Sequence, residues 1–339
     1  MAIRIFGIRS DQTAFLDHQE LFFKNVFFPT LKERNIKRIV HLGDLVDRRK
    51  YINYHTLSRM KEMFLNHLSG HEVHILSGNH DLFYRNTSTI NALNELLVPY
   101  PNIKIYTNTT EVTIGHKKHL MVPWINSENK EQSFRMIKDF NRDVCFGHLE
   151  IKGFQIQPGH VAEFGDDPSL FKNIKHVFSG HYHSKSSRDN IHYLGAPFQF
   201  TWNDFGEERG FHIYDTNTEE LEFIENPYSM FVRLTYDGNE TVIDPQLDIK
   251  NCYVKVIVNS KTSQSNFEAY LKYIESRNPL DVKIVETTEM HIDNETFTGS
   301  ESTPDIMRKY IGQATLQVDK TKLEKIMLNL YNESLLMEK

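Results

Sequence analysis

Residues 38–47 read RIVHLGDLVD, a short apolar run that ends at a glycine and continues into two carboxylates. The same form recurs along the chain, where apolar runs are followed by GNHD at 78–81, GH at 147–148 and GHYH at 180–183. Runs rich in Val, Ile and Phe are typical of β-strands, and glycine allows the backbone to turn sharply where a strand ends. The pattern therefore predicts four strands that each deliver polar side chains to one crevice.

Helices are expected between several of these strands, and a further strand is expected at 3–6. Apolar residues recur at helical spacing from residue 13 to residue 34, and a second helix is expected at 54–68. The buried face of the first helix is expected to consist of Phe15, Leu21, Phe22, Val26, Phe27 and Leu31. Strands that alternate with helices predict an α/β fold, in which ligands bind where the carboxyl ends of strands meet the following loops.

The length and the change of pattern along the chain predict several domains. At 339 residues the chain is too long for one compact core. We expect a main domain at 1–227, a small α/β cap at 228–287, a polar linker at 288–304 and a helical tail at 305–339. The amphipathic tail helices need something to cover their apolar faces, and docking on the cap or on a partner protein fits the pattern equally well.

The composition limits the class of protein. No segment is long and apolar enough to span a bilayer, and the start MAIRIF lacks the features of a secretory signal, so a soluble, cytoplasmic protein is expected. The net charge of −6 argues against wrapping nucleic acid by bulk electrostatics, although a local basic groove beside bound cations would suffice for a DNA enzyme. Cys145 and Cys252 lack metal-ligand spacing and are expected to be buried and inert.

The four glycine motifs together predict a metal site. Each has a purely structural explanation when taken alone, because Gly-Asp and Gly-Asn are common turns and a single histidine is often a core or surface residue. Their repetition after four apolar runs favours a shared function. Asp, Asn and His donors suit manganese, iron or zinc, and a pair of such ions about 3.5–4 Å apart can activate water and stabilise a phosphoryl centre.

These motifs resemble those of the calcineurin-like metallophosphoesterase superfamily over roughly residues 1–215. The resemblance implies a four-layer metallophosphoesterase β-sandwich flanked by helices, with the small α/β cap and the C-terminal helical tail appended. It also implies a two-metal site in which Asp44 bridges the ions. The remaining ligands implied for the first centre are Asn79, His148 and His181, and the ligand implied for the second is His183.

The resemblance further implies a catalytic role for His80, which matches the family's non-ligand histidine near the scissile phosphate. There it would stabilise charge or protonate the leaving oxygen. Asp81 is expected to orient His80. For Asp47 a structural role is expected, either fixing the loop or pairing with Arg48 or Arg49.

Within the superfamily, the layout is similar to the SbcD-type nuclease subunits of recombination and repair complexes, especially the T-even-phage-like ones. The supporting segments are GDLVDRRKYINYHT at 43–56, YLGAP at 193–197 and GEERGF at 206–211. The resemblance then spans the whole chain. It implies cleavage of DNA phosphodiesters, usually with Mn²⁺, by a homodimer in complex with an SMC-like SbcC-type ATPase whose coiled coil receives the C-terminal helices.

The sequence departs from the family after the first predicted strand. Family members carry Asp-x-His there, and both residues bind the metal that His183 shares, whereas here Gly7 is followed by IRSD at 8–11. Either this is a natural pseudo-site or the sequence is locally altered, with Asp11 as a candidate replacement ligand. Three functions stay open: a DNA nuclease subunit, impaired or not; a phosphatase or phosphodiesterase of small phosphoesters; and a non-catalytic subunit that binds DNA and docks an ATPase.

Overall fold

The computed structural model describes residues 13–238, 247–286, 308–312 and 319–337, with side chains of the last segment placed through residue 328. The strand predicted at 3–6, the sequence from Gly7 to Asp11 and the linker predicted at 288–304 lie outside the described residues.

The first sheet has three parallel strands in the order β1–β2–β3, spanning Arg38–His41, Glu72–Leu76 and Ile103–Tyr106. The first two match strands predicted from apolar runs. Its outer face is covered by helices, which are α1 (Thr13–Phe22), α2 (Phe28–Glu33), α3 (Tyr54–Met63) and α4 (Ala92–Leu96). The apolar side chains of these helices share one buried cluster with those of the sheet.

The second sheet has six strands in the order β10–β11–β9–β6–β5–β4. Its centre is parallel, and its two outermost strands run antiparallel to their neighbours. Its outer face is covered by α5 (Lys130–Asp139). In chain order the strands are β4 (Thr110–Ile114), β5 (Lys117–Val122), β6 (Val144–His148), β9 (His176–Gly180), β10 (Lys185–Arg188) and β11 (Ile191–Leu194), with the small hairpin β7 (Gln155–Gln157) and β8 (His160–Val161) outside the sheet.

The two sheets pack face to face. Successive side chains of a strand point to opposite faces of its sheet, so one face can pack against the other sheet while the other face packs against helices. In β6, Cys145 belongs to the cluster under α5, whereas its neighbour Phe146 belongs to the cluster between the sheets. In β9, Val177 and Phe178 divide in the same way. Helices, two sheets and helices therefore form four layers, which confirms the predicted α/β fold class.

The first helical segment departs from the predicted burial pattern. A π-helical turn, Phe23–Phe27, separates α1 from α2. Leu21, predicted to be buried, is 41% exposed, whereas Phe23 is only 1% exposed. The prediction for Leu21 was wrong because six residues of α-helix place it roughly 120° around the axis from Phe15.

A third sheet follows the first two in the chain. It contains the parallel strands β14 (Phe231–Tyr236), β15 (Tyr253–Val258) and β16 (Asp281–Glu286), after the hairpin of β12 (Gly210–Tyr214) and β13 (Leu221–Glu225). With α6 (Gln264–Ser276) it forms a separate apolar cluster. It contacts the start of α1, where the Phe15 ring lies 6.3 Å from the Phe231 ring and 5.9 Å from that of Tyr253.

Two helical pieces are described in the tail. A turn at 308–312 lies against α7 (Lys320–Met337), with Arg308 Nε 3.2 Å from Glu324 Oε1 and Lys320 Nζ 2.7 Å from the Gly312 carbonyl oxygen. Ile326 and Met327 are 48% and 37% exposed. Among the helices described, none combines the length and apolar character that crossing a membrane requires.

Candidate metal centre

Four predicted ligands lie at carboxyl ends of strands from both sheets. Asp44 and Asn79 follow β1 and β2, His148 ends β6, and His181 follows β9. One ligand atom each from Asp44, His148 and His181 lies within 4.8 Å of the others. The spacing is close enough for these three groups to share one cation.

The amide oxygen of Asn79 lies between the two imidazoles. Asn79 Oδ1 is 3.0 Å from His148 Nε2 and 3.1 Å from His181 Nδ1. This places a neutral oxygen donor beside the carboxylate of Asp44. The four predicted ligands of the first centre are therefore brought together.

The ring of His148 is held in one tautomer by the backbone. Its Nδ1 lies 2.6 Å from the Leu42 carbonyl oxygen, which can only accept, so Nδ1 carries the proton. Nε2 then offers its lone pair toward the site, 3.4 Å from Asp44 Oδ2. Burial lowers the pKa of His148, but the Asp44 carboxylate and the Leu42 carbonyl outweigh it, and the net pKa is raised. A cation bound at Nε2 would compete with the second proton, which Nε2 takes up when His148 becomes charged.

His181 is held neutral. Burial, followed by the proximity of His148, lowers the pKa of His181 to about 3. A neutral imidazole is the form that binds a metal ion.

Two of the ligands occupy a backbone conformation that side chains rarely adopt. Asp44 has φ of 56° and His181 has φ of 84°, both in the left-handed region. Strained non-glycine residues of this kind cluster at functional sites, where the surrounding structure enforces them.

Two glycines permit the close approach of the ligand loops. A Cβ on Gly43 would lie 2.4 Å from His148 Nδ1, and a Cβ on Gly78 would lie 2.2 Å from Asp44 Oδ1. Only glycine fits at these two positions without displacing a ligand.

Asp81 accepts hydrogen bonds from the backbone. Its Oδ2 accepts from the backbone N–H groups of Asp44 and Gly78, both at 2.8 Å, and its Oδ1 accepts from that of Val46 at 3.1 Å. Its hydrogen bonds go to the backbone of the two motif loops, and the role expected for it in orienting His80 stays a prediction. Burial and the neighbouring Asp44 raise the pKa of Asp81, because two carboxylates lie close together.

His80 is oriented by the backbone of Asp47. His80 Nδ1 lies 2.6 Å from the Asp47 carbonyl oxygen and therefore donates to it, while the His80 backbone N–H donates to Asp44 Oδ1 at 2.8 Å. With Nδ1 donating to Asp47, Nε2 is the ring nitrogen that could exchange a proton with a bound ester. The loop-fixing role expected for the Asp47 carboxylate stays a prediction, because this contact is made by the backbone carbonyl.

His183 lies outside the group of three and is supported by a buried arginine. Arg209 donates to the His183 carbonyl oxygen from Nη1. Its Nη2 donates to Asp204 Oδ1 at 2.9 Å and to Glu207 Oε2 at 2.6 Å. The arginine and Asp204 side chains are each 3% exposed. The sequence GEERGF thus supplies a charged support beneath the GHYH loop.

Comparison with known proteins agrees with this arrangement. Residues 15–185 match the family model described as calcineurin-like phosphoesterase. The chain is 32% identical over 282 residues to "Exonuclease subunit 1" of Enterobacteria phage T4, covering 83% of this chain and 82% of the relative. The chain belongs to the calcineurin-like phosphoesterase family. Its members are metal-dependent hydrolases, which confirms the expected class of enzyme.

A solved structure of an archaeal phosphodiesterase also aligns with this phosphoesterase. The alignment has 14% sequence identity and a TM-score of 0.33, and it covers 61% of this chain and 94% of the other.

The donor set of the phosphoesterase fits a divalent cation. It combines a carboxylate, an amide oxygen and two imidazoles, one with its tautomer fixed and one held neutral. Such mixed oxygen and nitrogen sites suit manganese, iron or zinc. A carbonyl that orients a ligating histidine is the usual support of a metal ligand.

The sequence prediction missed two side chains near this centre. Arg49 has a buried Nη1 that lacks a hydrogen-bond partner among the described residues, and burial and the nearby Arg85 lower its pKa, which Asp44 partly opposes. Trp124 packs its ring 5.1 Å from that of His181. Trp124 follows the end of β5, the same kind of position that identified the ligands, but it lacks a preceding glycine.

Proposed function

We propose that this phosphoesterase is the nuclease subunit of an SbcCD-like DNA recombination and repair complex. The observation that carries the proposal is the convergence of Asp44, Asn79, His148 and His181, with His80 beside them, in a chain 32% identical to an exonuclease subunit. We infer that the substrate is a DNA phosphodiester and that Mn²⁺ is the physiological ion.

In this proposal the residues divide the work of hydrolysis. A bound divalent cation would supply positive charge for water activation and for the phosphoryl oxygens. Asp44, Asn79, His148 and His181 would hold it. His80, with Nδ1–H fixed on the Asp47 carbonyl oxygen, would protonate the leaving oxygen from Nε2. Arg49, whose Nη1 is buried without a partner among the described residues, would bind a phosphate oxygen.

The proposal is tested on linear duplex DNA with Mn²⁺. The parent protein should shorten end-labelled DNA, and Asp44→Asn should abolish the activity because it weakens the carboxylate ligand. Asp189→Asn is the matched control, since that carboxylate is 85% exposed and lies in a turn of the second sheet. Equal rates for the parent and Asp44→Asn would contradict the proposed site.

A non-catalytic role is the second candidate, because the sequence after Gly7 lacks the Asp-x-His of the family. His183 would then have few partners in holding a second ion. We expect about one Mn²⁺ to bind tightly, with DNA cleavage reduced by orders of magnitude. Insertion of a loop containing Asp-x-His between Gly7 and Ile8 should restore two ions and raise the rate. Two tight ions and unchanged cleavage in the parent would make Asp11 the first candidate ligand.

The C-terminal region is proposed to bind the ATPase partner. The exposed Ile326 and Met327 on α7 support a partner surface, as does Tyr310, which is 46% exposed on the preceding turn. An amphipathic helix offers such residues to an apolar groove or coiled coil. We further propose residues 228–287 as the DNA-contacting cap, 288–304 as a linker and a homodimer within the complex.

A further inference from the structure

A cavity of about 300 Å³ opens beside the ligand group. Its wall includes His148, which ties it to the metal centre, and the indole of Trp124. Its polar lining comes from Lys130, Glu150 and Asp166. The volume is at the lower end of ligand pockets, which span about 300–1,000 Å³, so it suits one small planar group.

Trp124 is held in place by a backbone hydrogen bond and packs against His148 and His181. Its backbone N–H donates to the Ser77 carbonyl oxygen at 2.8 Å, which ties it to the end of β2. Its ring lies 5.1 Å from that of His181 and 6.1 Å from that of His148. The indole remains partly exposed and lines the cavity. A flat aromatic surface is therefore presented next to His148 and His181.

The rest of the lining carries hydrogen-bonding groups. The backbone N–H of Asp166 donates to the Glu150 carbonyl oxygen at 2.7 Å, which holds the two carboxylate-bearing segments together. Carboxylates accept hydrogen bonds from base amino groups, whereas they repel phosphates. Lys130 begins α5 and offers a positive charge at the same cavity. A cavity lined by both an aromatic ring and polar groups matches a nucleobase better than a phosphate.

We propose that this cavity binds an unpaired nucleobase next to the scissile phosphate, stacked on Trp124. The inference rests on the proposed nuclease function and adds the way in which the DNA strand is held. A base can enter only when it has left its partner, so the site selects a separated strand end. Stacking of one base on an aromatic side chain is worth about 5- to 150-fold in affinity.

Binding is tested by the fluorescence of the two tryptophans, Trp124 and Trp202. The probe is deoxyadenosine 5′-monophosphate at constant Mn²⁺, and 2-deoxyribose 5-phosphate is the base-free control. In Trp202→Phe, the nucleotide should quench the remaining indole and the sugar phosphate should not. In the matched variant Trp124→Phe, the quenching should disappear. Equal quenching by both probes, or quenching that persists in Trp124→Phe, would overturn the proposal.

Kinetics separate base binding from the chemistry. The substrates are the p-nitrophenyl ester of thymidine 5′-monophosphate and methyl p-nitrophenyl phosphate, which has no base. Trp124→Ala should raise the KM of the nucleotide ester by about 5- to 150-fold while the KM of the methyl ester changes little, and Trp124→Phe should restore most of the affinity for the nucleotide ester. Equal losses on both esters would assign Trp124 to packing against His181 and overturn the base site. If the parent hydrolyses neither ester, the proposed function itself fails.

Discussion

Replacing Gly78 with alanine would disturb the metal centre without removing a ligand. The added Cβ would lie 2.2 Å from Asp44 Oδ1, 2.4 Å from the Asp44 nitrogen and 2.7 Å from His148 Cε1. Ordinary contacts between such atoms lie near 3.5 Å, so the Asp44 carboxylate must move by about 1 Å. Metal sites tolerate ligand displacements of only about 0.2 Å.

We expect Gly78→Ala to lower the affinity for Mn²⁺ by about 10- to 100-fold. We also expect it to lower the free energy of unfolding by about 1–3 kcal/mol. Calorimetric titration with Mn²⁺ measures the first, and thermal unfolding of the metal-free protein measures the second. Gly312→Ala is the control, because no atom of the described residues lies within 4 Å of the Cβ it adds and its φ is not in the left-handed region. A folded Gly78→Ala protein that binds Mn²⁺ as tightly as the parent would refute the arrangement of the two loops.

Three further predictions concern the metal centre, the buried Arg209 and the C-terminal tail. His80→Ala should leave Mn²⁺ binding intact and remove DNA cleavage, whereas Asn79→Ala should weaken Mn²⁺ binding; equal loss of metal in both would show that their roles are misassigned. Arg209→Ala should lower the free energy of unfolding by about 3–5 kcal/mol, because it leaves the buried Asp204 without its cation, and a change below 1 kcal/mol in chemical denaturation would contradict this. Deletion of residues 305–339 should abolish copurification with the ATPase partner, and a shortened protein that still copurifies fully would exclude the tail as the docking site.

The ligand-type residues at the ends of strands were predictable because the pattern that marks them lies within a few neighbouring residues. An apolar run, a glycine and a ligand-type side chain stand next to each other in the sequence, and parallel strands then bring their carboxyl ends together. This is why Asp44, Asn79, His148 and His181 could be grouped before the structure was known. The burial of Cys145 and Cys252 also agrees with the prediction.

Contacts between distant segments were less predictable. The carboxylate of Asp81 turns toward the backbone of Asp44 and Val46, a choice that depends on how two loops pack. The support of His183 by Arg209 joins residues 26 positions apart, and nothing local marks it. Trp124 was missed because an aromatic residue after a strand usually signals core packing.

The burial pattern of the first helical segment was partly predictable. Helical periodicity identifies the buried Phe22 and Phe27, but the π-helical turn inserts an irregularity that a regular period cannot describe. The exposure of Leu21 shows that a single apolar residue outside the regular helical pattern does not by itself predict a buried position.

The aromatic contact between α1 and the third sheet has a mechanical consequence. Ala14 and Phe15 stand at the start of α1 and pack with Met230 and Phe231, where β14 begins. Any rotation of the third sheet must break this contact or carry the start of α1 with it. Because Leu16 and Phe22 of the same helix pack in the cluster that holds β1 and β2, movement of the third sheet would be transmitted to the strands that lead to Asp44 and Asn79.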